Sequence, residues 1–295
     1  MRVNLAALCL AAFAGAGVCY GQTSVAPATI PAVTTLQPGY STVYCSGFVK
    51  DTKLPEDIRV VSGEQPGYKV VWAQRENVYI NRGSDNGVRI GDRFMVVRQT
   101  EDPDRIEWFK GQNKIEKAMG LLYSDIGQLQ VVSVDAKMSV AEVVFSCEYM
   151  QRGDIVRPFE ERPAPPYKEV GPFDHFAKVS GKPVGMVVIS SQFQEGQAQG
   201  ITMHVNLGAA QGVKVGDYLR VFRYQGRDIE TAPQTRNYAT DIYGYGSSPT
   251  RYTWKELPRE VLGEGIVLNA SRNSATVFVT FSSAEIYAGD NVEIE

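Results

Sequence analysis

The residues of this sequence best suited to chemistry are aspartates that recur directly after a glycine. The pairs are Gly91-Asp92, Gly153-Asp154, Gly216-Asp217 and Gly289-Asp290. Paired carboxylates could serve a glycosidase, where two acids face each other across a sugar, or a Ca²⁺ site, which takes about six to eight oxygen ligands. Each of these acids, however, follows a turn glycine and precedes an apolar run. We therefore expect all four pairs to stabilise turns, with the carboxylates accepting hydrogen bonds from nearby backbone N–H groups.

Other groups capable of catalysis or metal binding are sparse. The sequence has two histidines: His175 lies in a linker-like segment, and His204 lies in a strand pattern where we expect a half-buried structural residue. A zinc site needs about three or four converging ligands, and no spacing of His, Cys and Asp resembles one. Ser247 has no marked base, and Gly-x-Ser-x-Gly is absent. We therefore predict no metal, no cofactor and no enzymatic activity. A hydrolase would require acids from both halves in one cleft.

The segment Tyr224–Glu260 is the best candidate for a binding surface. Its aromatic residues, separated by Gly and Ser, include Tyr238, Tyr243, Tyr245, Tyr252 and Trp254. Tyrosine and tryptophan bury a large area at low entropic cost, so such a loop could hold a protein partner or stack on sugar rings. The alternative is a poorly ordered loop whose aromatic residues partly cover the fold. Trp108, in a shorter segment, is a lesser counterpart.

These residues sit on a framework that occurs twice. Residues 78–98 and 203–223 align without a gap and share Asn-x-Gly-x-x-x-Gly-Val-(Arg/Lys)-(Ile/Val)-Gly-Asp followed by apolar residues and a final arginine. Residues 125–156 align in the same way with 261–292. A repeated, turn-rich unit is typical of a duplicated scaffold. The blocks Gln99–Ser124 and Tyr224–Glu260 are then excursions from the common framework.

The apolar periodicity predicts an all-β protein. Each half offers about six short strands, and such strands hide their edges best in a small closed or half-closed barrel. The fold class is therefore two tandem small β-barrel domains related by internal duplication. We predict hairpins from Lys69–Ala73 with Val78–Asn81 and from Pro183–Ser190 with Ile201–Asn206. Only Asp104–Ala118 has a helical pattern, which Gly111 interrupts.

The N-terminus is typical of an exported protein. Arg2 precedes the apolar run Leu5–Val18, which is too short to span a bilayer, and a small-residue cleavage site follows. The predicted divisions are a signal peptide at 1–21, a flexible tether at 22–39, a first barrel at 40–158, a Pro-rich linker at 159–172 and a second barrel at 173–295. The mature chain has no apolar run long enough for a transmembrane segment. We expect it in the periplasm, associated with the outer membrane, or outside the cell.

Composition and cysteine placement limit the possible partners. The net charge is −3, and Lys and Arg are not clustered, which argues against nucleic-acid binding. Cys9 and Cys19 lie in the predicted signal peptide, so Cys45 and Cys147 remain in the mature chain. An oxidising compartment permits a disulfide between them, and the alternative is two separate buried thiols.

The second half carries a family resemblance. The matching segments are Gly212–Asp217, Leu257–Gly263, Ser274–Thr276 and Glu285–Val292. They resemble a domain of bacterial cell-envelope proteins that often follows LysM modules, and they are similar to the C-terminal domain of the flagellar assembly protein T. The first half keeps the Gly-Asp turns but lacks the Leu-Pro-Arg-Glu element. The resemblance implies a β-barrel and an envelope location, with no catalytic residues to transfer. Peptidoglycan binding does not transfer, because the sequence has no evident LysM module.

Together these observations favour a secreted, non-enzymatic scaffold or assembly protein of the cell envelope that acts through protein–protein contacts, with oligomerisation possible. The alternative is a module that binds peptidoglycan or another polysaccharide through the Tyr-rich loop 224–260. The expected partners are accordingly envelope proteins or cell-wall polysaccharide.

Overall fold

The computed structural model describes residues 36–104, 106–166, 168, 172–224 and 258–295, and they form a mainly β fold. Among the described residues, two α-helices, α1 (Tyr40–Tyr44) and α2 (Gln112–Met119), accompany the strands. In this part of the chain no helix has the length and apolar character needed to cross a membrane.

The first half is a curled sheet that resembles half of a barrel. Its strands are β1 (Phe48–Lys50), β2 (Val60–Gly63), β3 (Val71–Trp72), β4 (Asn77–Ile80), β5 (Arg93–Gln99), β6 (Leu121–Val134), β7 (Ser139–Ser146), β8 (Met150–Gln151) and β9 (Ile155–Pro158). The main order is β2-β4-β7-β6-β5-β9, with β1 paired to β6, and β3 and β8 form a separate ribbon. The outer strands approach each other through a single bridge between Arg59 and Ile155.

The second half is a closed barrel. Its strands are β10 (Val184–Ser190), β11 (Gly196–Gln197), β12 (Thr202–Val205), β13 (Tyr218–Arg223), β14 (Glu260–Ala270), β15 (Ala275–Ser282), β16 (Ile286–Tyr287) and β17 (Asn291–Ile294). The order is β10-β12-β15-β14-β13-β17, and pairing of β17 with β10 closes the circle. The strands β11 and β16 form a short ribbon of their own. Closure leaves the barrel without a free edge.

Each sheet surrounds its own apolar core. Ala141 and Val143 of β7 are fully buried in the first core, and Val277 and Val279 of β15 are fully buried in the second. The period-2 alternation of β7 explains this placement, because successive side chains of a strand point to opposite faces. The β15 strand is buried more continuously, since its outward face also meets other parts of the protein.

The two helices lie where the halves meet. Val43 and Tyr44 of α1 share a buried cluster with Met95 of the first half and with Ile266 and Phe278 of the second. Met119 at the end of α2 packs in another cluster with residues of β10. Polar contacts add to this packing, since Gln112 Nε2 donates to the carbonyl of Val188 at 2.8 Å. Apolar burial together with specific hydrogen bonds therefore joins the halves.

The hairpin predicted for residues 69–81 is wrong. Strand β3 pairs with β8, while β4 pairs with β2, a strand that the sequence pattern did not reveal. The cause is the indole of Trp72, which is fully buried against Gly63. A Cβ at Gly63 would lie 2.4 Å from the Trp72 ring, so only glycine leaves room for it. The pairing predicted in the second half is confirmed, because β10 and β12 are antiparallel neighbours.

The predicted helix Asp104–Ala118 is too long at its start. Gly111 has a φ of 89°, in the left-handed region, and the helix begins only at Gln112. Helix α1 was not predicted, because five residues are too few to show a period. The excursion Gln99–Ser124 also contains strand residues, since β6 begins at Leu121.

The segments predicted as tether and linker are attached to the fold where the structure describes them. The Leu36 amide donates to the carbonyl of Thr280 at 2.9 Å. In the linker, Arg162 forms two hydrogen bonds to the buried carboxylate of Asp125, at 2.8 and 3.0 Å. The domain boundaries themselves stay predictions.

Candidate functional site

Asp92 and Asp217, which occupy equivalent positions in the two aligned segments, stabilise turns. Asp92 Oδ2 accepts a hydrogen bond from the Arg89 amide at 2.9 Å, and Asp217 Oδ2 accepts one from the Lys214 amide at 2.8 Å. The preceding Gly91 and Gly216 have φ values of 92° and 91°. Residues with a Cβ avoid this conformation, so the glycine permits the turn, and the hydrogen bond to the following aspartate stabilises it.

Asp154 and Asp290, the other two recurring aspartates, each combine a hydrogen bond to a turn amide with a buried ion pair. Asp290 Oδ2 accepts a hydrogen bond from the Tyr287 amide at 2.7 Å, and both its oxygens accept from Arg223 at 2.7 Å. Asp154 repeats this arrangement with the Gln151 amide at 2.8 Å and with Arg98 at 2.8 and 2.9 Å. Gly153 and Gly289 have φ values of 91° and 99°. All four recurring aspartates are therefore bonded within the fold.

The sequence pattern did not predict that Arg98 and Arg223 form ion pairs with the buried aspartates. Arg98 and Arg223 occupy the same place at the end of the two aligned segments, which was the available signal. Each closes a bidentate pair with a nearly inaccessible aspartate. Burial acts to lower the pKa of Arg223, but its bonds to Asp290 outweigh this and raise the pKa. Burial raises the pKa of Asp290, and the bonds from Arg223 oppose that shift.

Acidic side chains line a cleft beside α2. A cleft of about 490 Å³ between β5 and α2 is lined by Asp102 and Glu116 among other residues. Burial raises the pKa of Glu116, and the nearby charges of Asp102 and Glu101 add to the shift. Across the described ranges, no group of three or more His, Cys, Asp or Glu side chains is placed to hold a metal ion.

His204 is fully buried, not half-buried as the sequence predicted. It lies on β12, and its Nδ1 is 3.1 Å from the hydroxyl of Thr276 on the neighbouring strand. The ring is enclosed because it also faces the first half, close to Gly47. Burial lowers its pKa to about 4. The imidazole is therefore neutral near neutral pH and serves as a hydrogen-bonded core residue.

This burial predicts a loss of stability in mild acid. Below the ordinary pKa of 6.5 the unfolded chain binds a proton at His204, whereas the folded chain does so only near pH 4. We expect the free energy of unfolding to fall by about 3 kcal/mol between these pH values on this account. The measurement is urea unfolding at several pH values for the native chain and for His204→Gln. Equal pH slopes in the two proteins would contradict the prediction.

The predicted aromatic surface is only partly described. Tyr238, Tyr243, Tyr245, Tyr252 and Trp254 lie outside the described residues, as does Ser247, so sugar binding by that loop stays a prediction. Trp108 is half-buried, and its backbone N–H donates to Gln112 Oε1 at 2.7 Å. Trp108 is therefore tied to the start of α2.

A disulfide joins Cys45 and Cys147, with 5.5 Å between their Cα atoms. Cys45 directly follows α1, and Cys147 directly follows β7. The bond therefore holds the end of α1 against the first sheet, beside the buried residues Val43 and Tyr44.

Neither a search of protein-family models nor a search of curated proteins finds a match to this chain.

Proposed function

We propose that this protein is an exported, non-enzymatic scaffold or assembly protein of the cell envelope. The observation that carries the proposal is that the recurring aspartates, the strongest candidates for chemistry, are bonded to turn amides and to arginines. A carboxylate held in this way has little freedom to serve as an acid, a base or a nucleophile. The disulfide is in keeping with an oxidising compartment such as the periplasm or the cell exterior.

We further propose that the two halves are tandem barrels that arose by internal duplication. In support, the strand order β2-β4-β7-β6-β5-β9 corresponds strand by strand to β10-β12-β15-β14-β13-β17. The arginine–aspartate pair and its turn also occur at the same place in each half. The first barrel is less complete, since its outer strands share only one bridge.

For contact with an envelope protein we propose the loop that contains Tyr68 and Val70. These side chains are 95% and 72% exposed, and the neighbouring Val71 is also exposed. Clustered exposed apolar residues often mark protein-contact surfaces. The loop leads directly into β3 of the β3–β8 ribbon, whose fully buried Trp72 anchors it to the core.

The test is purification of the mature protein, after mild cross-linking, from its own envelope fraction. We expect a defined protein to be retained in fixed ratio, and we expect Tyr68→Ser with Val70→Ser to reduce its retention at least about tenfold, as loss of a contact centre does. Val132→Ser, an exposed apolar residue on β6, is the matched control. Recovery of the mature protein without a stoichiometric protein partner would contradict the scaffold role.

A further inference from the structure

A cleft on the second barrel that is lined by several polar side chains has features of a ligand site. Its volume is about 570 Å³, within the usual range for small-ligand pockets. It lies between the turn that joins β10 to β12 and the β11–β16 ribbon. The side chains that matter here are Gln194, Glu195, Gln197, Gln199, Glu285 and Tyr287.

Gln197 is the unusual member of this group. Its side chain is 5% exposed, and within the described part of the chain neither its amide nitrogen nor its amide oxygen has a hydrogen-bond partner. A buried polar group without a partner costs about 1–3 kcal/mol. Such a group requires an explanation, and a ligand that brings both a donor and an acceptor would supply one. Because both atoms are shielded from solvent, the side chain must change rotamer to reach the cleft.

Tyr287 provides a fixed aromatic surface in the same cleft. Its hydroxyl donates to Glu285, and the guanidinium carbon of Arg223 lies 5.1 Å from the ring centroid. Tyr287 pairs with Gly196 across the ribbon, where a Cβ would lie 3.0 Å from the ring. The hydrogen bond to Glu285 raises the pKa of the Tyr287 hydroxyl, which therefore stays protonated near neutral pH.

The charges in the cleft limit the class of ligand. Glu195 and Glu285 line it, and no Lys or Arg is among its described lining residues. Arg223, which lies near the ring, is bonded to Asp290. Phosphates and acidic polysaccharides are therefore disfavoured. Amide and carboxylate groups beside an aromatic ring match a neutral ligand rich in hydroxyl and amide groups.

We propose that this cleft binds a neutral glycan that carries acetamido groups. The acetamido group pairs with the Gln197 amide, because each contributes one donor side and one acceptor side. The glutamates accept hydrogen bonds from sugar hydroxyls, and the Tyr287 ring packs against the apolar face of a sugar. This site goes beyond the scaffold role, and the residues that line it lie outside the Tyr-rich loop 224–260.

The test is calorimetric titration of the mature protein with a tetramer of N-acetylglucosamine. Cellotetraose, which lacks acetamido groups, is the comparison ligand and is expected to bind at least about tenfold more weakly, because the Gln197 amide then stays unpaired. Gln197→Leu and Tyr287→Ala are each expected to weaken binding of the acetamido ligand by a similar factor. Gln130→Leu, an exposed glutamine of β6, is the matched control and is expected to leave binding unchanged.

Thermal unfolding separates loss of the site from loss of the fold. Gln197→Leu removes an unpaired buried amide at similar volume, so we expect it to preserve or raise the melting temperature while it weakens binding. The proposal is overturned if the mature protein shows no saturable binding of the tetramer, or if Gln197→Leu binds it as the native chain does. It is also overturned if binding depends only on Tyr243, Tyr245 and Trp254, or if a neutral peptide binds in place of the glycan. None of these outcomes bears on protein partners, which the envelope purification tests separately.

Discussion

Replacement of Cys45 and Cys147 by serine is expected to lower the free energy of unfolding by about 4–5 kcal/mol, the value for a closed loop of ~100 residues. The two cysteines are 102 residues apart, so the bond restricts the unfolded chain strongly. The folded state should also be affected, because the disulfide holds α1, whose Val43 and Tyr44 pack between the two halves. The measurement is chemical unfolding of the double variant and of the oxidised native protein.

Reductant provides the internal control for this experiment. The native protein should shift towards the double variant when a thiol reductant is added, while the double variant should not respond. Limited proteolysis should also detect earlier cleavage near α1 in the reduced protein, because the disulfide no longer holds the C-terminal end of that helix. Equal unfolding midpoints for the native and serine proteins would show that the bond contributes nothing to stability.

The change Asp290→Ala is expected to destabilise the protein by about 3–5 kcal/mol, because the mostly enclosed guanidinium of Arg223 loses its carboxylate partner and keeps a hydrogen bond to the Glu285 carbonyl. The Asp290 side chain is inaccessible, and that of Arg223 is only 15% exposed. The turn bond from the Tyr287 amide is lost as well. Guanidinium chloride unfolding of the variant and the native chain measures the effect.

Two of the other recurring aspartates supply matched controls for Asp290→Ala. Asp154→Ala removes the equivalent carboxylate, but Arg98 is 24% exposed and can regain some hydration, so we expect a smaller loss. Asp217→Ala removes one exposed turn bond and should cost about 1 kcal/mol. If Asp217→Ala lowered the free energy of unfolding as much as Asp290→Ala, the arginine–aspartate pair would not contribute more to stability than the turn hydrogen bond, and the prediction would be wrong.

The part of this protein that could be predicted from sequence is the part that depends on near neighbours. The turn role of Asp92 follows from a preceding glycine and an amide three residues away. The mainly β character follows from strand periodicity, which each short segment expresses by itself. Both predictions were supported further because the same turn and strand patterns occur in two separate segments of the sequence.

Other features of the protein depend on contacts between residues that are distant in the chain. Asp154 and Arg98 are 56 residues apart, and local sequence does not specify which arginine a buried carboxylate will meet. Trp72 pairs with Met150 and not within the predicted hairpin, because burial of the indole against Gly63 outweighs the local turn preference. His204 became fully buried because the first half packs near its strand. Local sequence specifies the turns and most strands, whereas packing between distant segments determines which polar groups are paired, which are enclosed, and which line a cleft.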